Sequence, residues 1–157
     1  MVQAYEGGHA QLESVRSGRN NSGVVQPVGR AVAFDTGGGT TELAFRALTG
    51  AGDTILGVLL SDQTIPQNVV IANGGVLANA MASIVARGEV WVSVEQAVTP
   101  VSPVFTRHTL AGATGTNPAV GKFRTDADTA KAVAVANARF LTSAAAGGLA
   151  LLQINIP

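Results

Sequence analysis

Short apolar runs separated by glycine, proline, asparagine and aspartate fill the chain from Val28 onward. They recur every 8 to 15 residues or about that, the rhythm of an all-β sandwich or jelly-roll-like barrel rather than of helices. The pattern predicts strands over Arg30–Asp35, Glu42–Ala47, Thr54–Leu60, Gln67–Ala72, Ala82–Arg87, Glu89–Glu95, Val104–His108, Lys131–Ala136, Arg139–Thr142 and Leu149–Ile156. Alternation is cleanest in Glu89–Glu95, where Val90, Val92 and Val94 share one face and Trp91, Ser93 and Glu95 the other. Alanines at 127, 130, 132, 134, 136 and 138 suit a helix by propensity. The strict Ala/Val alternation of Lys131–Ala136 argues for a strand, because a helix would scatter Val133 and Val135 around its circumference. Small side chains there also fit a thin sandwich with a flat contact surface.

Residues 1–27 read differently. They are polar and glycine-rich, with Gly7-Gly8, Ser17-Gly18 and Asn20-Asn21-Ser22-Gly23 interrupting any period. Such a segment buries too little apolar area to fold by itself. It is expected to be an extended N-terminal arm, loose in a monomer or ordered against a neighbour, ahead of a single β domain over 28–157.

A chain of 157 residues can bury about two-thirds of its unfolded surface and stand as one domain. It has no cysteine, which excludes disulfides and thiolate metal sites. Charged residues make up 13% with a formal net charge of zero, against roughly 25% in an ordinary soluble domain. The basic footprint that drives phosphate-backbone binding is missing, so no direct nucleic-acid partner is expected. Low net charge favours association, so this reads as a surface that becomes covered. No apolar run approaches the roughly 20 residues that span a bilayer, and no export signal opens the chain. The expectation is a protein made in the cytoplasm, without a membrane partner.

The stretch Phe34-Asp35-Thr36-Gly37-Gly38-Gly39-Thr40-Thr41-Glu42 carries the one conspicuous catalytic pattern. Asp-Thr-Gly after an apolar run resembles the aspartic protease loop, in which two carboxylates share a proton and a dimer mate would supply the second. Gly38 departs from the Ala or Ser which that family places after the triplet. The same stretch resembles the phosphate hairpin of actin-like ATPases, a fold that needs several hundred residues. The plainer reading is a β-hairpin whose glycines supply the turn. His9 and His108 lie too far apart for a zinc site, and His108 is expected to face solvent at a strand end. Asp126 and Asp128 are expected to hold a turn after Phe123 by accepting backbone amides. No cofactor or metal is expected, and no catalytic residue is assigned.

An ordered series of segments covers roughly residues 55–156: Arg87-Gly88-Glu89-Val90-Trp91-Val92, Val98-Thr99-Pro100-Val101-Ser102-Pro103-Val104-Phe105, Gly121-Lys122-Phe123-Arg124-Thr125-Asp126-Ala127, Ala138-Arg139-Phe140-Leu141-Thr142 and the closing Leu149–Asn155. In that order they resemble the cement, or decoration, proteins on the heads of tailed bacteriophages. Members often place a Gly-Asp turn where this chain has Val101-Ser102. The resemblance implies a structural virion protein on the outer head surface. It would act as a dimer or trimer that clamps neighbouring major capsid proteins. Tyr5, Arg16, Arg19, Arg30 and Trp91 are the candidate capsid or subunit contacts. Arg offers a bidentate fork for carboxylates, with solvated charges as the alternative, and Trp91 is either an interface anchor or half-buried in its own sheet. The remaining alternatives are the dimeric protease built on Asp35 and a tail or fibre component.

Overall fold

The computed structural model describes residues 6–38, 42–61 and 74–157. Among them the chain forms twelve strands and one 3₁₀ turn: β1 (His9–Asn20), β2 (Gln26–Pro27), β3 (Ala31–Phe34), the turn Thr36–Gly38, β4 (Ala44–Arg46), β5 (Ile55–Leu59), β6 (Gly75–Val76), β7 (Met81–Ser93), β8 (Phe105–Arg107), β9 (Phe123–Arg124), β10 (Ala132–Ala134), β11 (Ala138–Phe140) and β12 (Leu149–Asn155). The all-β expectation holds. The predicted strand Gln67–Ala72 lies outside the described residues.

A seven-stranded sheet runs in the order β1-β4-β3-β5-β7-β12-β11, and β1 also pairs with β7. That extra pairing closes β1, β4, β3, β5 and β7 into a small barrel, leaving β12 and β11 as an extension from the C-terminal half of β7. Inside the barrel lie Val32, Phe45, Leu59 and Ile84, each fully buried. A separate sheet, β10-β8-β9, packs over a second core with Val94, Val104, Phe123, Val135, Phe140 and Leu152.

β7 explains much of this layout. The sequence reads as two strands broken at Gly88, but the chain continues through that glycine at a φ of 142°, and Gly88 pairs with both Leu12 and Ile154. One long strand therefore serves both the barrel and the extension. The predicted core face is found, with Val90, Val92 and Val94 fully buried, while on the opposite face Ser93 and Glu95 are covered as well.

The N-terminal segment enters the main sheet as β1. β1 pairs antiparallel with β7 from His9↔Val90 to Arg19↔Met81. Ahead of it, the Gly7 amide donates to the Trp91 carbonyl (2.8 Å) and the Trp91 amide to the Gly8 carbonyl (2.7 Å). Gly7 sits at a φ of +76°, where a Cβ would meet the Gly29 amide nitrogen at 2.9 Å and that of Ser61 at 3.0 Å. Glycine is required here by both conformation and space. Asn20 then fastens the following loop. Fully buried, its Nδ2 donates to the carbonyls of Val24, Val76 and Leu77 at 2.8 to 3.1 Å, and its Oδ1 accepts from the amide and hydroxyl of Ser22.

Candidate docking surface

Several charged side chains are buried where the small sheet meets the end of β7. Glu95, just beyond β7, accepts from the Arg107 guanidinium through Nε (2.8 Å) and Nη2 (2.6 Å), from Arg124 Nη1 (3.0 Å) and from the Ala119 amide (3.1 Å). Asp128 lies 2.8 Å from Arg107 and 3.1 Å from Arg124, and accepts from the Thr114 amide and hydroxyl. Asp126 completes the set with Arg124 (2.7 Å) and Gln96 (2.7 Å). Hydrogen bonds from Thr114, with Arg107 beside it, hold the Asp128 carboxyl well below the usual carboxylate range. The expectation that Asp126 and Asp128 brace a turn is met: Asp126 accepts the Asp128 amide (2.9 Å), and the two carboxylates also anchor buried arginines.

Glu6, Arg30 and Lys122 extend the same region. Arg30 stands 3.3 Å from Glu6, and Lys122 Nζ donates to the Asn117 carbonyl at 2.8 Å. Burial raises the Glu6 carboxyl and lowers the Arg30 guanidinium, and burial with the neighbouring Arg30 charge lowers the Lys122 ammonium. Two of the ten acidic residues, Glu95 and Asp128, and three of the ten basic ones, Arg107, Lys122 and Arg124, are thus buried. The outer surface is left sparsely charged.

His108 corrects the sequence reading. It is buried at 8% exposure, because β8 lies between β10 and β9 and its end is covered. Nδ1 lies 2.9 Å from the Thr109 hydroxyl, and Nε2 has no partner among the described residues.

Asp35 sits where a turn leaves β3. Its carboxylate accepts from Asn21 Nδ2 (2.8 Å) and the Gly37 amide (2.9 Å), and these donors hold it below the usual range. β3 and β4 pair antiparallel on either side, with Ala33 opposite Arg46 and Phe34 opposite Phe45, as the hairpin reading requires. Gly39–Thr41 lie outside the described residues.

Of the candidate contact residues, Tyr5 lies outside the described residues. Arg16 and Arg19 stand three apart on an unbulged stretch of β1 and therefore point to opposite faces. Arg16 Nη2 donates to the Pro157 carbonyl (2.8 Å), and Arg19 Nε to Glu42 (3.1 Å). Arg30 faces inward to Glu6. Trp91 is half-buried on the outer face of the sheet, where Leu151 lies opposite it, Gln153 opposite Glu89 and Asn155 opposite Arg87. Arg87 Nε donates to Asn155 (2.7 Å) and Arg139 Nε to Gln153 (2.7 Å). With Glu13 and Asn137, these side chains line a shallow groove of about 390 Å³.

A projecting apolar tip completes the picture. The turn Thr99–Ser102 is closed by the Ser102 amide on the Thr99 carbonyl (2.9 Å) and by the Thr99 amide on the Ser102 hydroxyl (3.0 Å), leaving Val101 92% exposed. Sequence reasoning missed this exposed valine. The Pro100-Val101 step at the centre of a turn was the available signal.

A braced β body with a neutral, weakly charged exterior and outward apolar anchors is the class of a structural binding protein. The sequence matches the family model for a structural cement protein of phages (E217 gp24/Pam3 gp6) over residues 1–155. The chain belongs to that family, and its role is that of a phage capsid cement protein. No curated protein matches it. A solved structure titled the capsid of Myoviridae phage XM1 shares the fold, with a TM-score of 0.62 and 23% identity over 98% of this chain and 90% of that one.

Proposed function

We propose that the protein binds the outer surface of a phage head as a small homo-oligomer, clamps neighbouring major capsid proteins, and catalyses no reaction. The observation that carries this is the whole-chain family match. The distribution of charge supports it, since ions that would keep a free surface hydrated are withdrawn into the interior. Trp91 with Leu151, and Arg16 and Arg19 at the rim, are the proposed contacts. Arg30 and Glu6 would hold the N-terminal segment in place beneath them.

A ligand that binds only the assembled shell shifts the equilibrium toward assembly. Linked copies add their weak contacts through effective concentration, so no single tight interface is required. The test is to mix the purified protein with undecorated mature heads and follow sedimentation, then cryo-electron microscopy. Saturable binding at regular lattice positions on the outer surface is expected. Binding to the inner surface, to tails only, or to nothing refutes the proposal.

A further inference from the structure

Among the described residues β10 is the outer strand of the small sheet, paired on one side, with β8. The ladder fixes which peptide groups stay open. The His108 amide donates to the Lys131 carbonyl (2.9 Å) and the Val135 amide to the Val104 carbonyl (2.9 Å), so residues 131, 133 and 135 turn their peptide groups toward β8. Antiparallel geometry alternates these directions, which aims the peptide groups of Ala134 and Ala136 away from the sheet. Both alanines are exposed, and a methyl group shields little of the backbone behind it. Natural edges are normally guarded by charge, proline or a bulge; none occurs from Ala132 through Ala136.

A groove of about 370 Å³ runs beside this edge, walled by Ile55, Leu56, Val135 and Ile156 together with Arg16 and Asp53. Asp53 is engaged by Arg46 at 2.6 Å, and Arg16 donates one of its N–H groups to the Pro157 carbonyl. The site thus offers main-chain hydrogen bonding along one side and an apolar trough along the other.

We propose that this edge accepts an extended, uncharged strand from a neighbouring shell subunit, which adds to β10 through its backbone and lays alternate apolar side chains into the groove. This rests on the docking reading above. Proline at 134 removes an outward N–H while sparing the β8 ladder, a placement that free edges tolerate. The test measures occupancy on undecorated heads, and melting temperature by circular dichroism, for Ala134→Pro, Ala134→Lys and Ala134→Val. Ala134→Pro is expected to lose about tenfold in affinity, as for one or two lost strand hydrogen bonds, and Ala134→Lys about as much by placing a charge beside the apolar trough, with melting unchanged in both; Ala134→Val keeps its affinity. Lys leaves the backbone intact, so its result stands even where the proline variant fails to fold. Wild-type affinity in folded Pro or Lys variants overturns the edge site alone, as does a density map that joins two copies through β10. Failure of the unaltered protein to bind any head overturns the docking reading and this one with it.

Discussion

Thr129 occupies a backbone position that a β-branched side chain avoids. It has a φ of 54°, between Asp128 at 44° and Ala130 at 63°, and left-handed helical geometry costs roughly 1–2 kcal/mol per residue. The turn persists because its ends are fixed elsewhere. Asp128 is bound to two buried arginines, and the amides of Lys131 and Ala132 both donate to the Ala127 carbonyl at 2.9 and 3.0 Å. Thr129 itself is exposed, so replacing it removes strain without removing packing. Thr129→Gly is expected to gain about 1 kcal/mol, read as a higher urea midpoint at an unchanged slope. Glu95 is the opposite case. Two guanidinium groups and an amide depend on it inside the protein, and Glu95→Gln breaks its buried ion pair with each arginine, leaving Asp128 as their shared buried carboxylate. A loss of about 3–5 kcal/mol is expected, measured in the same urea titration.

At the level of elements, β1 decides whether the barrel exists. It is the strand that joins β4, through Arg19↔Ala44, to β7. Deleting residues 2–25 would expose the β7 and β4 edges and the interior around Phe45 and Ile84. We expect the truncated chain to lose its cooperative thermal transition, and a sharp transition near the full-length midpoint would refute this. β1 was hard to read because Arg, Ser, Gly and Asn fill it and its partner lies far along the sequence. Strands with Val or Leu alternation, such as β5, β7 and β12, were legible to within a few residues because one buried face dictates the period. The ionic cluster was not legible. Glu95, Arg107, Arg124 and Asp128 come from separate stretches, and no spacing announces their meeting. The available hint was charge placed inside apolar strands in a chain with so little of it, as at Arg107 within Val104–His108. The face of Trp91 was legible from its alternation with Val90 and Val92, which left open whether it is an interface anchor or half-buried in its own sheet.

For the whole molecule, the interior carboxylates set the response to acid. Hydrogen bonds and neighbouring arginines hold Asp128 and Asp53 well below the ordinary value of about 4, and hydrogen bonds, from Gln96 first, lower Asp126 as well. A carboxyl depressed on folding stabilises the native state above its unfolded pKa, and this stabilisation is lost as pH falls toward its folded pKa. Glu6, raised by burial, opposes the trend and favours the fold slightly at lower pH. With Asp35, four depressed groups stand against one raised group, so the net slope is that of the aspartates. Unfolding free energy should therefore be nearly level from about pH 6 to pH 8 and decline below about pH 4. Salt should change it little at neutral pH, because the strongest ion pairs are shielded from solvent. Urea titrations across that pH range test this directly. In Asp53→Asn the decline below about pH 4 should become shallower, since one proton-linked group is removed. An unchanged acid slope would show that the Arg46–Asp53 clamp does not contribute.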